Sequence, residues 1–171
     1  ICNAMLPYLS MDDEGKIKLD AIASILREWT TSCDLVQEHP EKSGRKLTRF
    51  TTKAMSKIIP DTPDAVSGWN TPNRYFYEIV NSTGNSIYIK LAVSAKNATS
   101  SFIELSDKIN ELNPAKLERK EWQWRTLFRT KTMRFSENPT KEEIFACLDK
   151  CLQEILVYEE DVQRHLESNH S

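Results

Sequence analysis

The stretch from Arg74 to Ser94 limits the folds open to this chain more than any other. Ile87, Ile89, Leu91 and Val93 alternate with Tyr88, Lys90, Ala92 and Ser94, the period of two that belongs to a strand with one buried face. Arg74 to Val80 has the aromatic and β-branched character of a second strand, and Asn81-Ser82-Thr83-Gly84-Asn85 supplies turn chemistry between the two. An antiparallel hairpin follows, and helices must cover its apolar side.

The sequence provides such helices at both ends. From Asp12 to about Gln37, apolar residues recur at Ile17, Ala21, Ile22, Ile25, Leu26, Trp29, Cys33 and Val36, and His39-Pro40 closes the run. Thr140 with Glu143 three residues on forms a capping-box pattern, so the last helix starts near Lys141. Its stripe runs through Ile144, Leu148, Cys151 or Leu152, Ile155, Tyr158 or Glu159, Val162 and Leu166. This heptad-like stripe can meet the first helix or a second copy of the chain.

Between these ends, Leu47 to Phe50 reads as a short strand leading to Thr51-Thr52, a cap for a helix over Lys53 to Ile59. Pro60, Pro63 and Pro72 mark an irregular connection. Thr99 or Ser100 caps a helix carrying Phe102, Ile103, Leu105, Ile109 and Leu112, and Trp122 to Phe135 reads as a bent strand or a strand pair. The expected fold class is α+β: a small antiparallel β-sheet packed on amphipathic helices, with long N- and C-terminal helices. Ile1 to Ala4 are read as preceding a natural start at Met5, leaving residues 5–171 as one domain.

Composition removes whole classes of function. Apolar residues at 39% and charged residues at 28% describe a globular chain, not a disordered one. Four glycines, at 15, 44, 68 and 84, are too scattered for a phosphate-cradling loop or a dinucleotide fingerprint. A formal charge of −2 gives no general attraction to polyanions, so any such attraction must be local. The apolar runs are too short to cross a bilayer, and Cys33, Cys147 and Cys151 form no disulfide framework. A cytoplasmic setting without a membrane partner is the expectation, which makes the glycosylation patterns at Asn81, Asn97 and Asn169 coincidental.

No complete catalytic motif emerges. Glu78 and Lys90 lie on neighbouring strands, as in a metal-dependent PD-(D/E)XK nuclease, but Tyr88 stands where such a site needs a second carboxylate. Ser94 has the same place before Lys96. The pair therefore reads as a cross-strand charge pair. Cys147 and Cys151 share a helical face but lack the remaining zinc ligands, so they read as core cysteines. His39, at a helix end, His165 and His170 complete no triad with a serine or cysteine. The chain reads as non-catalytic, with no catalytic residue, metal site or cofactor assigned.

The segment Lys116 to Phe135 is the most suggestive. It holds seven cations (Lys116, Arg119, Lys120, Arg125, Arg129, Lys131, Arg134) against Glu118 and Glu121. In a regular strand Trp122, Trp124 and Phe128 point one way and Gln123, Arg125, Arg129 and Lys131 the other. One face would then enter the core, with Trp69, Trp122 and Trp124 as core or hinge side chains. The other would offer Arg125, Arg129 and Lys131 to a nucleic-acid backbone, with Lys120, just ahead of the strand, as a further candidate contact. The alternative is internal balance, because Glu137 to Glu167 carries nine acids against three bases.

The strings Arg74-Tyr75-Phe76-Tyr77-Glu78-Ile79, Ile87 to Asn97, and Glu121-Trp122-Gln123-Trp124-Arg125-Thr126 before a long acidic helix carry a family likeness. Over about Arg49 to Leu166 the chain resembles the uncharacterised C-terminal domain that accompanies bacterial PD-(D/E)XK-type nucleases. The resemblance implies an accessory or interaction role beside a nuclease or restriction-like system, with that nuclease as partner or fused domain. It transfers no catalytic residue. Two other readings stand beside it: a self-associating homodimer joined through the terminal helices, and a metal-dependent nuclease centred on Glu78 and Lys90.

Overall fold

The computed structural model describes residues 11–113 and 122–168. Helix α1 (Met11–Ser32) is followed by strands β1 (Val36–Glu38) and β2 (Leu47–Thr52), then the short helix α2 (Lys53–Ile58). Strands β3 (Tyr75–Val80) and β4 (Ser86–Ser94) form the central hairpin. Helix α3 (Ser100–Asn110), strands β5 (Trp124–Arg129) and β6 (Met133–Arg134), and the long helix α4 (Lys141–Ser168) complete the described chain. The fold is α+β with long helices towards both ends, as the periodicities require.

The sheet is antiparallel throughout, in the order β1-β2-β3-β4-β5, with β6 also pairing with β4. Trp122 to Phe135 is thus a strand pair: β5 and β6 both run along β4. Between them, Thr130 bonds Ile89 twice. Its amide donates to the Ile89 carbonyl at 2.8 Å, and its hydroxyl accepts the Ile89 amide at 2.9 Å.

The inward strand positions, Phe50, Tyr75, Tyr77, Ile79, Ile87, Ile89, Leu91 and Val93, form one core with the helices. Helix α4 contributes Ile144, Leu148, Cys151, Leu152, Ile155, Tyr158 and Val162, all buried. Its stripe therefore faces the chain's own sheet, and α1 lies beside it. The Trp29 indole donates to Asp149 at 3.0 Å, and Lys141 pairs with Glu28. Each buried large aliphatic side chain stabilises the fold by about 1.5–3 kcal/mol. Among the described residues no helix is long and apolar enough to cross a membrane.

The predicted caps form. Thr52 accepts the Met55 amide, Thr99 the Phe102 amide, and Thr140 the Glu143 amide. The capping box itself is half made. The Glu143 carboxylate bonds the Ser136 amide and hydroxyl at 2.8 and 2.6 Å instead of turning back to Thr140.

Three expectations need correction. The first helix ends at Ser32, and Val36 to Glu38 is an edge strand paired with Phe50 to Thr52. His39 consequently follows a strand and precedes a single 3-10 turn (Pro40–Lys42), so it is not at the C-terminal end of the first helix; its ring contacts the Thr51 hydroxyl and meets Phe76 edge-on. On α1, Ile17 is exposed while Ala23 and Thr30 are buried, so the buried stripe is rotated from the apolar one.

Candidate nucleic-acid interface

The sheet's outer face, away from the helices, carries polar and aromatic groups in rows set by strand register. Arg49 pairs with Glu78, Glu78 with Lys90, and Lys90 with Arg129, one line across four strands. Arg49 Nε donates to Glu78 Oε2 at 2.6 Å, and Lys90 Nζ stands 3.6 Å from Oε1. Glu78 is buried, so two cations compensate one carboxylate held away from water. The Glu78–Lys90 pair is the cross-strand charge pair that its spacing implies. Tyr88, in the place of a second acid, lies under the Arg129 guanidinium, 3.7 Å from the ring centroid. Among the described residues no three His, Cys, Asp or Glu side chains converge to hold a metal.

The next row is small. Phe76 pairs with Ala92, and Ala92 with Thr126, while Ser94 pairs with Trp124. Ala92 and Thr126 thereby floor a cleft of about 290 Å³ between the charged row and an aromatic wall of Trp69 and Trp124. Trp69 descends from the proline-rich connection, its ring centroid 4.8 Å from that of Trp124 and 4.9 Å from that of Phe76. Trp124 remains 47% exposed.

β5 does not keep a regular alternation. The register of β4 and β5 shifts between Leu91 and Ala92, where Leu127 is the extra residue. This bulge reverses the parity on one side of it, and the shared face expected of Arg125, Arg129 and Lys131 is broken. Arg125 pairs with Val93 on the inner face, where it is buried, donating to Ser106 at 2.7 Å and Asp107 at 2.9 Å and lying over Trp122. Trp124, expected in the core, faces outward instead, and Trp69 and Trp122 are half-buried.

Arg129 keeps its expected outward place, and Lys131 and Arg134 are exposed beyond it. Arg134 pairs with Ser86, which puts it on the outer face as well. Lys116, Arg119 and Lys120 lie outside the described residues, as does His170. Internal balance accounts for part of the segment, but among the described residues the acid that pairs with Arg125, Asp107, belongs to α3 and not to the acidic α4. Sequence reasoning missed the contributions of Arg49 and Trp69. The alternation of β2 carried a signal for Arg49; nothing local carried one for Trp69.

The remaining candidates are structural. Cys151 is buried, and burial pushes its thiol up to about 11. Cys147, expected in the core, is half-buried, and His165 contacts Glu111 at 2.9 Å. Comparison of the chain with protein-family models, curated proteins and solved structures finds no match.

Proposed function

We propose that this chain is a non-catalytic interaction domain that binds nucleic acid across the outer face of its sheet. The observation that carries this reading is the charge on that face. Among the described residues, the outward strand positions place Arg49, Lys90, Arg129 and Arg134 against Glu78 alone. Arg49 and Lys90 are engaged with that acid, which leaves Arg129 and Arg134, with neighbouring Lys131, to meet phosphates. A face of this kind concentrates positive potential on a protein whose overall charge is slightly negative. The likeness to a nuclease-accompanying domain supports an accessory role beside a nuclease or restriction-like system in the cytoplasm.

Fluorescence anisotropy with a labelled oligonucleotide at rising salt tests the reading. Three phosphate contacts predict a log–log salt slope of about −2 for a single strand. The combined variant Arg129→Glu, Lys131→Glu, Arg134→Glu removes binding. A flat salt response, or unchanged affinity in that variant, refutes the proposal.

A further inference from the structure

The cleft beside Trp124 has a geometry that phosphate contacts do not use. An exposed tryptophan ordinarily keeps rotamer freedom, yet this ring is held. A Cβ built on Gly68 would come within 2.4 Å of the Trp124 ring, so indole and loop backbone are in direct contact only because residue 68 is glycine. The Gly68 amide in turn donates to Ser94 Oγ at 2.8 Å, which anchors that loop to β4. Trp69, the next residue of that loop, meets the Trp124 ring edge-on, with the centroids 4.8 Å apart. The outcome is a fixed indole with nearly half its surface open and small side chains beside it.

We infer that this cleft is a subsite for one unpaired nucleobase, stacked on Trp124, and that the domain therefore prefers single strands to duplex. This rests on the nucleic-acid reading above and adds to it the form of nucleic acid recognised. Three features select a base. The volume, about 290 Å³, falls just below the range of roughly 300–1,000 Å³ usual for ligand pockets, room for one ring system and not for a stacked pair. Every base has a π-face that stacks on an aromatic side chain, and a base within a duplex cannot present it. The wall opposite the tryptophans holds Arg49 and Lys90, whose N–H groups beyond those directed at Glu78 can donate to the polar edge of a base. Lys90 lies directly across from Arg129, so a base in the cleft leaves its phosphate beside the cationic row. Because the indole is already ordered, stacking on it requires little further loss of side-chain freedom.

The test compares three labelled probes by anisotropy: a short oligothymidine, an abasic oligomer of the same length and charge, and a duplex. The wild-type chain binds the oligothymidine roughly tenfold more tightly than the abasic oligomer, and more tightly than the duplex. Trp124→Ala loses that preference and keeps the salt slope, whereas Trp124→Phe retains part of it. Gly68→Ala, which displaces the indole without deleting it, behaves like Trp124→Ala, and circular dichroism verifies that each variant is folded. Equal affinity of the wild-type chain for the base-bearing and abasic strands, with normal salt dependence, overturns the subsite and leaves the electrostatic reading standing. Absence of binding to all three probes overturns both.

Discussion

Replacing Thr52 by valine keeps a β-branched shape at the end of β2 and removes one hydroxyl with two roles. Thr52 Oγ1 accepts the Met55 amide at 3.1 Å as the cap of α2 and donates to Glu159 Oε2 at 2.5 Å. Tyr77 donates to the same carboxylate oxygen at 2.9 Å. Glu159 is 3% exposed, and both side-chain donors are neutral hydroxyls. Loss of an N-cap costs about 0.5–2 kcal/mol, and loss of a hydrogen bond to a charged group about 1.5–3 kcal/mol. Thr52→Val should therefore destabilise the fold by about 2–5 kcal/mol, and Tyr77→Phe, which loses the bond alone, by less.

The same network makes stability depend on pH. Burial raises the Glu159 carboxyl above its ordinary 4.5, against the lowering influence of Thr52, Tyr77 and the Met55 backbone. A raised folded value means that the native state holds the proton more tightly than the unfolded chain does. The resulting stabilisation is fully present below 4.5 and is lost as pH rises through the folded value. Urea unfolding followed by tryptophan fluorescence at about pH 5 and about pH 8 measures this fall, and Glu159→Gln should abolish its share of it. In the Glu159→Gln background, Thr52→Val should cost about 1 kcal/mol less than in the wild type, since the partner is no longer charged. A Thr52→Val cost below about 0.5 kcal/mol would refute the reasoning, as would an unchanged pH dependence in Glu159→Gln.

Three further outcomes follow from the packing. Leu148→Ala, at a fully buried position of α4, should cost about 2–5 kcal/mol in the same unfolding assay. Gly84→Ala forces a side chain onto a backbone at φ +80° in the hairpin turn and should cost about 1–2 kcal/mol, read as a lowered melting temperature. Cys151, buried and with its thiol pushed up to about 11, should resist alkylation at about pH 8 until the chain is unfolded in urea, as mass mapping of the labelled thiols would show.

Features whose cause is local were legible in the amino-acid sequence. The β3–β4 hairpin follows from alternation and turn chemistry, the α4 stripe from helical spacing, and the caps at Thr52, Thr99 and Thr140 from hydroxyls placed before apolar runs. Features set by a partner distant in sequence were not. Val36 continues the helical spacing of α1, and only pairing with β2 makes it a strand. The bulge at Leu127 has no glycine to announce it, yet it decides that Trp124 faces outward and Arg125 inward. For the same reason the candidate interface was half visible. Arg129, Lys131 and Arg134 stood out as a local excess of cations, whereas the cleft depends on Gly68 and Trp69 arriving from another part of the chain.

The most direct test of the interface is an NMR titration of the labelled chain with a single-stranded oligonucleotide. Binding on the outer sheet face predicts shifts in the indole resonances of Trp69 and Trp124 and the amides of Lys90, Thr126 and Arg129, while the α4 amides stay in place. Shifts confined to α1 and α4, or none at saturating oligonucleotide, would contradict it.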